Sequence, residues 1–206
     1  MKKMLSILCL IWISVSITAH ELSQVTLEGK EYLVVSMETS EQGYDNVSIL
    51  LNKGFLKKFV SKMKDYAKTV EKWNKTAHGK KVKEYKKTMV GTIPLKKIFF
   101  SCEGMECVSD KYYDNFLIPY FRCDSEGNCS FILGGYYTGY NTRMFGRDGV
   151  SDPSAKDNYY YQYCKFPFHL TIPAEDMNEW VAEVEEASNG VNVKQMELKE
   201  FNKLFQ

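Results

Sequence analysis

The stretch 54–78, GFLKKFVSKMKDYAKTVEKWNKTAH, decides the fold class. Phe55, Leu56, Phe59, Met63, Tyr66, Val70, Trp73 and Ala77 recur mostly at spacings of three and four, which lines them along one helical face. Asn52 suits the N-cap, and Gly79 suits the residue that stops a helix. A long amphipathic helix is therefore expected over Gly54–His78.

On both sides of that helix the period changes to strands. Upstream, Val25-Thr26-Leu27 and Tyr32-Leu33-Val34-Val35 flank a turn at Glu28-Gly29-Lys30-Glu31, and Val47–Leu51 is a third short apolar run. Downstream, between Lys86 and Tyr140, Thr92-Ile93-Pro94, Ile98-Phe99-Phe100, Phe116-Leu117-Ile118 and Phe131-Ile132-Leu133 are apolar centres separated by turns. Tyr159 to Ile172 reads as a further strand with Phe166, Phe168, Leu170 and Ile172 alternating. Two C-terminal helices follow. The first starts near Pro173 and buries Met177, Trp180, Val181, Val184 and Ala187, and the second runs from Val193 to Phe205. Strands, one long helix, strands and then helices predict an α+β fold with a mainly antiparallel sheet.

The N-terminus sets the expected compartment. Lys2 and Lys3 precede the apolar run Met4–Ile13, and small residues lead to Ala19, which is the pattern of a signal peptide over residues 1–19. The run is short for a spanning helix, which needs about 20 apolar residues. Residues 20–206 are then expected to form one exported domain, secreted or periplasmic, with no transmembrane segment after cleavage. Of 206 residues, 44% are hydrophobic and 14% aromatic, enough for a sizeable core.

Cysteine usage fits export. Setting Cys9 aside, Cys102 and Cys107 bracket one predicted hairpin turn, and Cys123 and Cys129 bracket another. Local pairing of Cys102 with Cys107 and of Cys123 with Cys129 is the preferred assignment, although four cysteines allow three connectivities. The intervals of four and five residues exceed most zinc-binding spacings, so disulfides are favoured over a metal. Cys164 is the odd thiol. His169, five residues on, falls on the opposite face of a strand, which argues against a Cys–His pair.

No Walker loop, Gly-x-Ser-x-Gly, His-Glu-x-x-His or Gly-x-Gly-x-x-Gly is present. No cofactor, metal or nucleic-acid partner is expected. Two surfaces stand out instead. Thirteen lysines face three acids between Lys53 and Lys87. Lys57, Lys64, Lys68, Lys72 and Lys75 would form a face for a polyanion, unless acids such as those of Glu175–Glu186 balance it. Tyrosines flank a long loop over Asn141–Asp157. Tyr137, Tyr140 and Tyr160, with Arg143 and Arg147, would contact a ligand there, although strand tyrosines also serve as core. The expected function is an exported, non-enzymatic binding domain for a glycan or a protein. The alternative is a secreted hydrolase cutting an extracellular polymer through carboxylates near the same loop.

Overall fold

The structure is a computed structural model. It describes residues 22–27, 29–41, 44–80, 83–95, 98–102, 105–108, 115–141, 162–195 and 197. The predicted signal peptide at 1–19 lies outside them.

The fold is α+β, with two mostly antiparallel sheets and two helices among the described residues. Strands β1 (Leu22–Leu27), β2 (Lys30–Met37) and β3 (Tyr44–Asn52) form a meander that runs directly into helix α1 (Lys53–Ala77). After α1 come β4 (Tyr85–Thr88), β5 (Ile93–Leu95), β6 (Ile98–Cys102) and β7 (Met105–Val108). Strands β8 (Asn115–Cys123), β9 (Cys129–Asn141) and β10 (Gln162–Pro173) lead to α2 (Met177–Ser188) and β11 (Lys194–Gln195). One sheet has the order β11-β1-β2-β3-β6-β7, and the other β10-β9-β8-β4 with β5 also paired to β8.

Helix α1 forms where the apolar stripe predicts it. The Asn52 side chain accepts the Phe55 N–H at 2.9 Å, and Gly79 leaves the helix at a φ of 70°. Its buried side, Leu56, Phe59, Val60, Met63, Tyr66, Ala67 and Val70, reaches both sheets and the second helix. Phe59 meets Trp180 of α2 edge-on, Tyr66 lies 5.9 Å from Phe131 of β9, and Trp73 meets Phe121 of β8 edge-on. A single main core thus holds α1, α2, the inner face of the β8–β10 sheet and one face of the β1–β3 meander. The opposite face of the meander buries Val25, Tyr32, Val34 and Leu50 in a smaller cluster.

Among the described residues, one isolated backbone bridge ties the two sheets together. Glu38, just past β2, and His169 of β10 exchange two backbone hydrogen bonds of 2.6 and 2.7 Å. The Thr39 hydroxyl donates to the Pro167 carbonyl at 2.7 Å beside them. These bonds satisfy part of the free edge of β10, which would otherwise be open to another strand.

Three expectations need correction. There are two sheets, not one. Pro173 closes β10 rather than opening α2, which begins at Met177 after a turn. The second C-terminal helix does not start at Val193. Asn192 turns the chain at a φ of 51°, a conformation asparagine tolerates, and Lys194–Gln195 pair in parallel with β1. The open edge of β1 offers ladder partners, and the Gln195 side-chain amide donates to the Gln24 side-chain oxygen Oε1 at 2.6 Å, so strand pairing wins there. Most of the remainder of that predicted helix lies outside the described residues.

The Cys123–Cys129 disulfide is present and joins directly opposed residues at the end of the β8–β9 ladder. Closing so short a loop contributes about 2 kcal/mol in the chain-entropy picture. In the β6–β7 hairpin the register sets Cys102 opposite Met105 and Cys107 opposite Phe100. The two cysteines are therefore offset along the ladder rather than facing, and their side chains lie outside the described part.

Candidate functional site

The tyrosine surface expected from the sequence divides by strand parity. Tyr137 is fully buried and stacks on Phe166, with ring centroids 5.3 Å apart, so it is a core residue and not a ligand contact. Its neighbour Tyr136 points the other way and is 59% exposed. Tyr140 lies opposite Tyr163 in the β9–β10 ladder, but its side chain is outside the described part. Tyr160, Arg143 and Arg147 lie outside the described residues, as does the 142–157 part of the loop.

Tyr136 belongs to the outward face of the four-stranded β10-β9-β8-β4 path. Strand β8 alternates strictly, burying Leu117, Phe121 and Cys123 while Phe116, Ile118, Tyr120 and Arg122 face out. The register then assembles rows across the sheet. Thr88, Tyr120, Ile132 and Thr171 form one row, and Ile118, Gly134 and His169 form the next. Tyr136 lies opposite Pro167 in the row after that.

Gly134 opens a hollow in the middle of this face. Its missing side chain leaves a trough of about 270 Å³ bounded by Tyr120, Ile132, Tyr136, Pro167 and His169, with Lys86 and Arg122 at one end. A Cβ placed on Gly134 would sit 3.6 Å from the Tyr120 ring, in ordinary contact. The adjacent Gly135 faces inward and has a different role. A Cβ there would come within 2.9 Å of both the Phe116 carbonyl oxygen and the Phe168 ring. Gly135 is thus required by packing, whereas Gly134 leaves space that nothing in the fold needs.

Charged groups rim the trough. Lys86 Nζ lies 4.1 Å from the centre of the Tyr120 ring, a cation–π contact. Arg122 pairs with Glu84 at 2.8 Å, and His169 Nε2 lies 3.3 Å from the Glu38 carboxylate.

The lysine face of α1 is partly balanced by acids. Lys57, Lys64, Lys68, Lys72 and Lys75 are all exposed. Lys64 pairs with Glu185 of α2 at 2.6 Å, Lys75 with Glu71 at 2.6 Å, and Lys68 with Asp65 at 3.6 Å. Farther along, Lys87 rests over the Trp73 ring at 4.4 Å. A second cleft, of about 360 Å³, lies between the start of α1 and the end of α2. Glu31, Lys53 and Asn189 rim it over Leu33 and Leu56, and no aromatic side chain lines it.

Among the described residues, two ionisable groups depart from their ordinary range. Burial, helped by Asp65, raises the Tyr66 phenol, whose hydroxyl donates to the Val90 carbonyl at 3.3 Å. The Asn128 side-chain amide, followed by backbone N–H groups of the same turn, lowers the Asp124 carboxyl. Because its folded value is depressed, Asp124 stabilises the hairpin above the usual carboxylate range, and this is lost as pH falls through the lowered value. The melting-temperature gap between the parent and Asp124→Asn is thus expected to be widest near neutrality and to close in acid. A gap independent of pH would show that the carboxylate charge plays no part.

No group of three or more His, Cys, Asp or Glu residues that could hold a metal ion occurs among the described residues. No helix among them is long and apolar enough to cross a membrane, which says nothing of a β-barrel. Comparison with family models, curated proteins and solved structures finds no match to this chain. The parity of β9 is what the sequence reading missed. Tyr136 and Tyr137 are chemically identical, and only the pairing of β9 with its neighbours tells the exposed ring from the buried one.

Proposed function

We propose that this chain is a non-enzymatic binding domain that takes a glycan on the outward face of its β8–β10 sheet. The observation that carries the reading is the Gly134 trough between Tyr120 and Tyr136, on a sheet face where rings alternate with hydrogen-bonding side chains. The C–H edges of a pyranose carry partial positive charge and suit the electron-rich face of a tyrosine ring, while its hydroxyls need polar neighbours. Thr171, His169 and Arg122 lie close to the rings on this face. Large exposed apolar groups are sparse there. Phe116 and Tyr136 stand out, which fits a wet polar ligand better than the continuous apolar centre of a stable protein interface. The exported setting expected from residues 1–19 would bring such a domain to extracellular polysaccharide.

The test is binding of the purified chain to an array of neutral and acidic glycans, with Tyr136→Ala and Gly134→Ala as controls. Tyr136→Ala removes a ring, and Gly134→Ala begins to fill the hollow without a clash. Each is expected to weaken binding by roughly tenfold while leaving the melting temperature nearly unchanged. Unchanged affinity in both variants would move the site elsewhere.

A further inference from the structure

The β4–β8 ladder places Lys86 directly opposite Arg122. Residues opposed across a ladder share a face, and like charges in that arrangement are destabilising. Both side chains line the same end of the trough. Of the three basic side chains around the trough, Arg122 has Glu84 and His169 has Glu38 beside it. Lys86 has only the Tyr120 ring, with no carboxylate within ion-pair distance among the described residues. Two cations, only one of them with a carboxylate beside it, thus stand at an open, ring-lined hollow, an arrangement that suits an acidic ligand group.

The geometry points to an acidic sugar as the ligand, with its carboxylate or sulfate held between Lys86 and Arg122 while the ring rests in the Gly134 trough. This inference deepens the proposed glycan site and rests on it. Arg122 supplies a planar fork for two oxygens of the acid, and Lys86 supplies a point charge from the facing strand. A bound anion would offset the repulsion of the opposed pair. Glu84 would release part of its hold on Arg122 or share it. The lysine face of α1 is a poorer candidate, because the cleft at the start of that helix is lined by no aromatic side chain on which a sugar ring could rest.

The experiment compares uronate oligosaccharides with their carboxyl-reduced forms, and sulfated oligosaccharides with their desulfated forms, on the purified chain at low and high salt. The acidic member of at least one pair is expected to bind roughly tenfold more tightly at low salt, with the preference shrinking as salt rises. The pair that shows it identifies whether carboxylate or sulfate is read. Lys86→Gln, alone or with Arg122→Gln, is expected to bring the acidic member down to the affinity of its neutral counterpart in the same variant. Lys86 is exposed, so the single variant carries the test if the double variant folds poorly. Equal binding of acidic and neutral members would overturn the inference while sparing the glycan site. So would a preference that survives Lys86→Gln, or one lost only on Lys57→Gln with Lys72→Gln. Failure of every oligosaccharide to bind, or full binding by Tyr136→Ala, would overturn the glycan site itself and the inference with it.

Discussion

Tyr137→Ala is expected to cost about 3–5 kcal/mol of folding stability, whereas Tyr136→Ala should change it by about 0.5 kcal/mol or less. Tyr137 is wholly buried on the inner face of β9, two residues from Gly135 and stacked on Phe166 of the partner strand. Removing its ring leaves a cavity that Phe166, itself packed against Phe168, cannot fill without leaving its own packing. Tyr136 is largely solvated, so its loss removes little packing. Ligand affinity should respond in the reverse order, falling for Tyr136→Ala while native Tyr137→Ala protein still binds. Denaturant unfolding followed by tryptophan fluorescence, paired with the binding assay, checks both halves. Similar stability for the two variants would mean that the register of β9 is wrong, since a slip of one residue exchanges the two faces.

That pair of tyrosines also marks how far the sequence could be read. The helices were legible because a stripe repeated over many turns averages out local ambiguity. Asn52 and Gly79 bracket α1 as expected, and the five apolar residues of α2 are all buried. The strands were legible as apolar centres, but not their parity. Phe131-Ile132-Leu133 is apolar at every position, so it does not say whether Tyr136 or Tyr137 turns inward. Strand β4 was hidden for the opposite reason. Tyr85-Lys86-Lys87-Thr88 is exposed throughout, and an edge strand with no buried face leaves no alternation to detect. The cross-strand pairing of Lys86 with Arg122 is a matter of register between segments more than thirty residues apart, which no local pattern encodes. Charge balance on α1 was half legible. Asp65 with Lys68 and Glu71 with Lys75 follow from helical spacing, but Glu185 reaches Lys64 only through the packing of α2 on α1.

Gly127→Ala is expected to destabilise the fold by roughly 2–5 kcal/mol, because a backbone penalty and a steric one coincide. Gly127 sits in the β8–β9 turn at a φ of 91°, a region that residues with a Cβ rarely occupy. A Cβ there would also lie 2.8 Å from the Lys80 nitrogen and 2.9 Å from backbone carbon atoms of Gly79. Backbone atoms cannot swing aside as a side chain can, so the turn or the end of α1 would have to move. Movement is resisted from both sides. The Gly79 N–H donates to the Gly127 carbonyl at 3.0 Å, and the Cys123–Cys129 disulfide closes the turn just behind it. Asp124 holds the same turn by accepting from the backbone N–H groups of Glu126 and Asn128. The close approach therefore docks the exit of α1 onto the hairpin that carries Tyr120 and Tyr136 at its far side. Thermal unfolding is expected to show a large drop for Gly127→Ala, together with weaker glycan binding in proportion to the unfolded fraction. A control at Gly29, also at positive φ but with open space around its Cβ position, should lose only the backbone part. Equal losses at Gly29 and Gly127 would show that the contact with Gly79 and Lys80 contributes nothing, and that the α1 exit is held to the hairpin by other means.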